Sequence, residues 1–119
     1  KKQMNDNPSS KEIVSRMLQA CKNIIFATSN LNSPKDIEKD TYALENTEIC
    51  LSIIRDAYKS LGADEQGKLS AINWDEIDTI IEQLQMQHKT DADYCKALHS
   101  YKTDLPRLKE KLEARLAQM

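Results

Sequence analysis

Only two glycines and three prolines punctuate this 119-residue chain, too few to turn the many short strands of a β-sandwich or barrel. Aromatic residues are as scarce, at 5%, and the Val, Thr and Tyr enrichment of sheet formers is missing. No apolar run approaches the ~20 residues that a membrane-spanning helix requires; the densest cluster is "NIIFA". The opening "KKQMNDNPSS" lacks the apolar stretch of a signal peptide. A basic surplus is absent too: the formal charge is −2 and the pI about 5.7, which argues against nucleic acid as a partner. Cys21, Cys50 and Cys95 are odd in number and sit in helical apolar patterns, so they suit the cytoplasm or another reducing compartment rather than a disulfide framework. There is no Gly-rich phosphate loop, GxSxG or HExxH. The carboxylate pair Asp75 and Glu76 fits the first turn of a helix, where the macrodipole favours it. The expectation is a chain that is not an enzyme and carries no cofactor or metal.

What is present is helical periodicity. Hydrophobic residues make up 39% of the chain and charged residues 30%, a balance suited to aliphatic helix packing. Ser9 and Glu12 have capping-box spacing, with Pro8 just outside. Ile13, Val14, Met17, Leu18, Cys21, Ile24 and Ile25 then recur at intervals of three and four, one broad apolar face. The predicted helix runs near residues 10–30, with Phe26 off that face. Residues 1–8 are expected to be a flexible N-terminal tail, and 9–119 a single helical domain.

Ser33 followed by Pro34 predicts an N-cap with proline at the first helical position. From 34 to 61 the main stripe is Ile37, Leu44, Leu51, Ile54, Tyr58 and Leu61, while Tyr42, Ile49 and Ile53 fall on nearly the opposite side at about 100° per residue. This two-faced helix is either sandwiched between neighbours, the commoner fate of apolar side chains, or packs with one face and offers the other to a partner. The middle of the chain, residues 35–88, is acidic and would steer a basic partner.

Asn73 and Glu76 repeat the capping-box spacing. Heptad positions then read Ile77, Leu84, Asp91, Leu98, Leu105, Leu112 and Met119, with Ile80, Tyr94, Tyr101 and Leu108 between them. Thr90 with Asp93, and Pro106, predict a break or kink near 89–91 or 103–106. The expected fold is all-α: an up-down four-helix bundle with helices near 10–30, 34–61, 74–89 and 91–118. The alternative has three helices, the last a long, kinked, coiled-coil-like one.

Both glycines lie in "GADEQGKLSAIN", Gly62 to Asn73. With Gly67 at the sixth position of a calcium loop and Asp64 at the third, followed by Lys68, Leu69, Ser70 and Ala71, these twelve residues resemble an EF-hand loop. The departures are Gly62 at the first ligand position, Gln66 at the fifth and Asn73 where a bidentate Glu closes the site. The resemblance implies a degenerate EF-hand-like domain without tight calcium binding. The simpler expectation is a flexible joint in which Gly62 caps the preceding helix in a left-handed conformation. His88, Asp91, Cys95 and His99 form a row of metal-ligand types, but about 16 Å of helix separates its ends, so packing is the expected role.

The leading functional expectation is a non-catalytic protein–protein interaction module or adaptor, docking a protein partner on an apolar helix face through Phe26, Tyr42, Ile49 and Ile53. Leu98, Leu105, Leu108, Leu112 and Leu116 form a seam that either builds the core or supports a homodimer, the core being favoured. From a different class comes peripheral membrane or phosphoinositide binding, through Lys102, Arg107, Lys109, Lys111 and Arg115.

Overall fold

A computed structural model describes residues 9–86 and 89–119; the expected N-terminal tail, residues 1–8, lies outside them, as do Gln87 and His88. Among the described residues the protein is all-α, with no strand. The helices are α1 (Ser10–Ala27), α2 (Pro34–Lys39), α3 (Thr41–Ser60), α4 (Ala63–Lys68), α5 (Trp74–Gln85), α6 (Asp91–His99) and α7 (Leu105–Ala117), with a π-helical turn at Ser100–Asp104 joining α6 to α7. The molecule measures 52 × 25 × 23 Å with a radius of gyration of 15.3 Å, more elongated than the ~13.5 Å sphere-like expectation for this length.

The helix starts follow the capping chemistry. Ser9, Ser33, Asn73 and Thr90 each accept a hydrogen bond from the backbone N–H three residues on, at 3.1–3.2 Å. Asp93 also returns the bond, its carboxylate accepting from the Thr90 N–H at 2.8 Å. Each such cap is worth about 1 kcal/mol to its helix.

The expected 34–61 helix is broken. Asp40 leaves helical geometry at φ −107°, ψ 78°, and its carboxylate accepts from the Ala43 N–H at 3.0 Å. It closes α2 and caps α3, so one predicted helix becomes two. The expected 74–89 helix stops at Gln85, with Met86 extended. The three-helix alternative, with one long kinked last helix, is not the arrangement found, because Met86 is extended and α6 starts anew at Asp91 behind the Thr90 cap. Near Pro106, which has no N–H to donate, the Leu105 N–H reaches back five residues to the Ser100 carbonyl. One wider turn carries the helix past the proline without a stop.

α1 packs against both α3 and α7, α3 against α5, and α2 against α6. Met17, Ile24, Ile37, Leu51, Ile54, Ile81 and Leu112 are fully buried where these faces meet, each stabilising the fold by about 1.5–3 kcal/mol relative to exposure. Buried Thr28 and Thr47 satisfy their hydroxyls on the Ile24 and Ala43 carbonyls, at 2.8 and 2.7 Å. The Cys21 thiol donates to the Leu105 carbonyl at 3.3 Å across the α1–α7 contact.

The segment 62–73 opens with a helical turn where the sequence suggests a left-handed glycine cap or an ion-binding loop. Gly62 has φ −68°, and no glycine is left-handed. Gly62 precedes a helical turn, α4, which occupies what would be the first half of the ion-binding loop. Gln66, at the loop's fifth position, donates through its amide to the Tyr58 and Leu61 carbonyls at 3.0 and 3.1 Å, covering the end of α3. Glu65 holds Arg115 of α7 through two bonds of 2.8 and 3.0 Å. Trp74 stacks on Tyr58 with ring centroids 3.9 Å apart and donates to the Leu69 carbonyl at 3.3 Å. Glu65, Gln66 and Trp74 thus tie α3, α4, α5 and α7 together.

Candidate functional site

α3 buries Ala43, Thr47, Cys50, Leu51 and Ile54 against its neighbours. At about 100° per residue, Tyr42, Ile49 and Ile53 project from the remaining side within about 40° of one another. They are 76%, 59% and 44% exposed. The sandwiched arrangement is thereby corrected: α1 and α5 contact α3 and no described element covers this strip. Phe26, near the end of α1, is 83% exposed, as its position off the apolar face of that helix predicts. Met86, just past α5, is also largely exposed; its place after the last apolar heptad position was the available signal, and the expected continuation of the helix to residue 89 hid it.

The leucine seam is placed differently. Leu105, Leu108 and Leu112 are buried, and Leu98 and Leu116 are half-buried against the same core. Their apolar surface is largely packed within the core of the one chain.

The basic residues considered for a membrane surface are largely engaged. Arg115 pairs with Glu65, Lys111 donates to the Ala71 carbonyl at 3.0 Å, Lys102 to the Ser29 carbonyl at 3.3 Å, and Lys109 lies 3.6 Å from Glu113. No helix of the described residues is long and apolar enough to cross a membrane.

Of the metal-ligand row, His88 lies outside the described residues. Cys95 and His99 are exposed on α6, and no group of three or more His, Cys, Asp or Glu among the described residues could hold an ion. Burial pushes the Cys21 thiol up to about 12 and raises Cys50 as well, which suppresses the thiolate a nucleophile needs.

A cleft of about 180 Å³ opens between α5 and α7, floored by Leu51, Ile77, Ile80 and Leu108 and edged by Glu76, Asp104 and Lys111. A hydrogen bond to Asp104 raises the Glu76 carboxyl above its ordinary range, helped by desolvation. Asp104 Oδ2 is buried beside this cleft without a hydrogen-bond partner. The sequence carried no sign of this pair, because the two residues sit on different helices. The cleft is smaller than the ~300 Å³ at which ligand pockets begin.

Comparison with protein-family models, curated proteins and solved structures finds no match to this chain.

Proposed function

We propose that this chain is a non-catalytic helical interaction module of the adaptor type, which docks a protein partner along the outer face of α3. The observation that carries the proposal is the exposure of Tyr42, Ile49 and Ile53 in one line, while the opposite face of α3 is packed through Ala43, Thr47, Cys50, Leu51 and Ile54. Large apolar side chains aligned at helical spacing are the geometry that helix-in-groove recognition uses. The three cysteines, free among the described residues, suit the cytoplasm or another reducing compartment.

Immobilised wild-type and Ile49→Asp chains, challenged with an extract of the native cell, test the proposal. A protein retained by the wild type and lost from Ile49→Asp is expected. The substitution lies on an exposed helix position, so the melting temperature should move little. Retention of the same proteins by both chains would overturn the docking role, and a large fall in stability would show that Ile49 is core.

A further inference from the structure

We propose that the occupant of this face is a basic amphipathic helix, with Lys or Arg along one edge of its own apolar stripe, an inference resting on the docking role proposed above. The strip on α3 has two unlike edges. On the side toward Asn46 and Ala57 it carries no charge. On the other side, at about 100° per residue, Glu45 and Asp56 lie within about 60° of the strip and Glu48 about twice as far round, with the exposed Lys59 as the one cation among them, near the end of the helix.

Two contacts fix what lies beyond that acidic edge. Gln85 of α5 donates to the Glu48 carboxylate at 3.0 Å, and Arg55 reaches Asp78 of α5 at 4.0 Å. The outer row of α5 therefore lies along the far margin of that acidic edge, and it adds Asp78 and the exposed Glu82. Arg55 is occupied on both sides, its guanidinium also lying 3.3 Å from Asp56. α5 itself contains four carboxylates and no Lys or Arg.

An apolar line bordered by this one-sided band of carboxylates selects its occupant by charge. A second copy of the chain packed antiparallel would set acidic edge against acidic edge, and like charges oppose that pairing. Nucleic acid and anionic lipid are repelled for the same reason. A helix with apolar residues at three- and four-residue spacing and Lys or Arg along one margin meets both features: its apolar face covers Tyr42, Ile49 and Ile53, and its cations approach Glu45, Glu48 and Glu82. Charges at such a rim act chiefly on association rate and salt dependence, whereas the apolar contact holds the complex.

Two synthetic 18-residue helical peptides test this, one with a leucine face and lysine elsewhere, the other with the same leucines and glutamate in place of lysine. Each is titrated by fluorescence anisotropy against the whole 119-residue chain in 50 mM salt. The lysine peptide should bind at least tenfold more tightly than the glutamate peptide, with the gap narrowing in 0.5 M salt. Glu45→Lys with Glu48→Lys and Glu82→Lys should abolish the preference, whereas Glu12→Lys with Glu110→Lys, on α1 and α7, should leave most of it. Ile49→Asp should weaken the lysine peptide at least tenfold. Equal binding of both peptides, no binding of the lysine peptide, or equal loss in the α1 and α7 control would overturn the basic-helix assignment. Those outcomes leave the docking role to its own test with Ile49→Asp and the native extract.

Discussion

Replacing Gly67 by alanine separates the two descriptions of the 62–73 segment. In a calcium loop the sixth residue must be glycine, because the chain turns sharply there. In the structure Gly67 sits inside α4 with negative φ, and a Cβ built on it meets nothing within 4 Å. Alanine should then be favoured by about 0.5–1 kcal/mol, partly because it restricts the unfolded chain. For 119 residues that corresponds to a rise in melting temperature of about 2–4 °C. With a urea slope of about 2 kcal/mol/M, the denaturation midpoint rises by roughly 0.3–0.5 M at unchanged slope. Gly62→Ala provides the internal contrast. Gly62 is the N-cap of α4 and has no side-chain bond there, a position where alanine is worse than glycine, so the unfolded-state gain is offset and the midpoint should barely move. A loss exceeding about 1 kcal/mol on Gly67→Ala would show that residue 67 needs a conformation only glycine reaches, and would refute the helical account of α4.

Leu112→Ala should cost about 2–5 kcal/mol in denaturant unfolding, because the side chain is fully buried, and the wild-type chain should keep the molar mass of a monomer as its concentration rises in light scattering; dimerisation abolished by this variant without loss of stability would restore the seam as an interface. Glu65 is held below its ordinary value of 4.5 by the hydrogen bond from Arg115, so its contribution is complete above that pH and is lost as pH falls through the lower folded value; the stability gap between wild type and Glu65→Gln should close on acidification, and a gap constant from pH 7 to 3 would contradict the pairing. Glu76 has the opposite sign, its folded value being raised by Asp104. Its contribution is present below the unfolded value and fades as pH rises through the folded one, so Glu76→Gln should gain on wild type toward neutral pH. A thiol reagent should modify exposed Cys95 rapidly in the native state and Cys21 and Cys50 only on unfolding, since those two are buried; fast modification of all three would mean the α1–α7 contact opens readily.

Helix starts were legible because capping is a local transaction: Ser9, Ser33, Asn73 and Thr90 each bond the N–H three residues ahead, and that spacing is visible in one dimension. The break at Asp40 was hidden by the apolar stripe that runs across it. Ile37 and Leu44 are seven apart, the interval of two helical turns, so periodicity continues even though the backbone does not, and the Asp40 carboxylate accepting from Ala43 was the weaker signal that decided the geometry. The helicity of α4 is hidden in the sequence because its glycines and the calcium-loop likeness both point to a loop. Its helicity is supported by partners remote in sequence, above all Arg115, fifty residues from Glu65.

The apolar face of α3 marks where that limit falls for function. Periodicity fixes the angle between Tyr42, Ile49 and Ile53 and the buried stripe, but an angle says nothing of how many neighbours a helix has. That number depends on where the chain reverses. α1 and α5 make the main contacts with α3 and α2 adjoins its start, while Leu51 shares the floor of the α5–α7 cleft with Leu108; none of these covers the side that carries Tyr42, Ile49 and Ile53. That side of α3 lies at the margin of the molecule, and the Gln85–Glu48 and Arg55–Asp78 contacts set the outer carboxylates of α5 next to the acidic edge of α3. A substitution that loosens α7, such as Leu108→Ala, should therefore lower stability by about 2–5 kcal/mol while leaving the affinity of the folded fraction for a basic helix unchanged. A parallel loss of affinity in the folded fraction would mean that the occupant touches α7 itself.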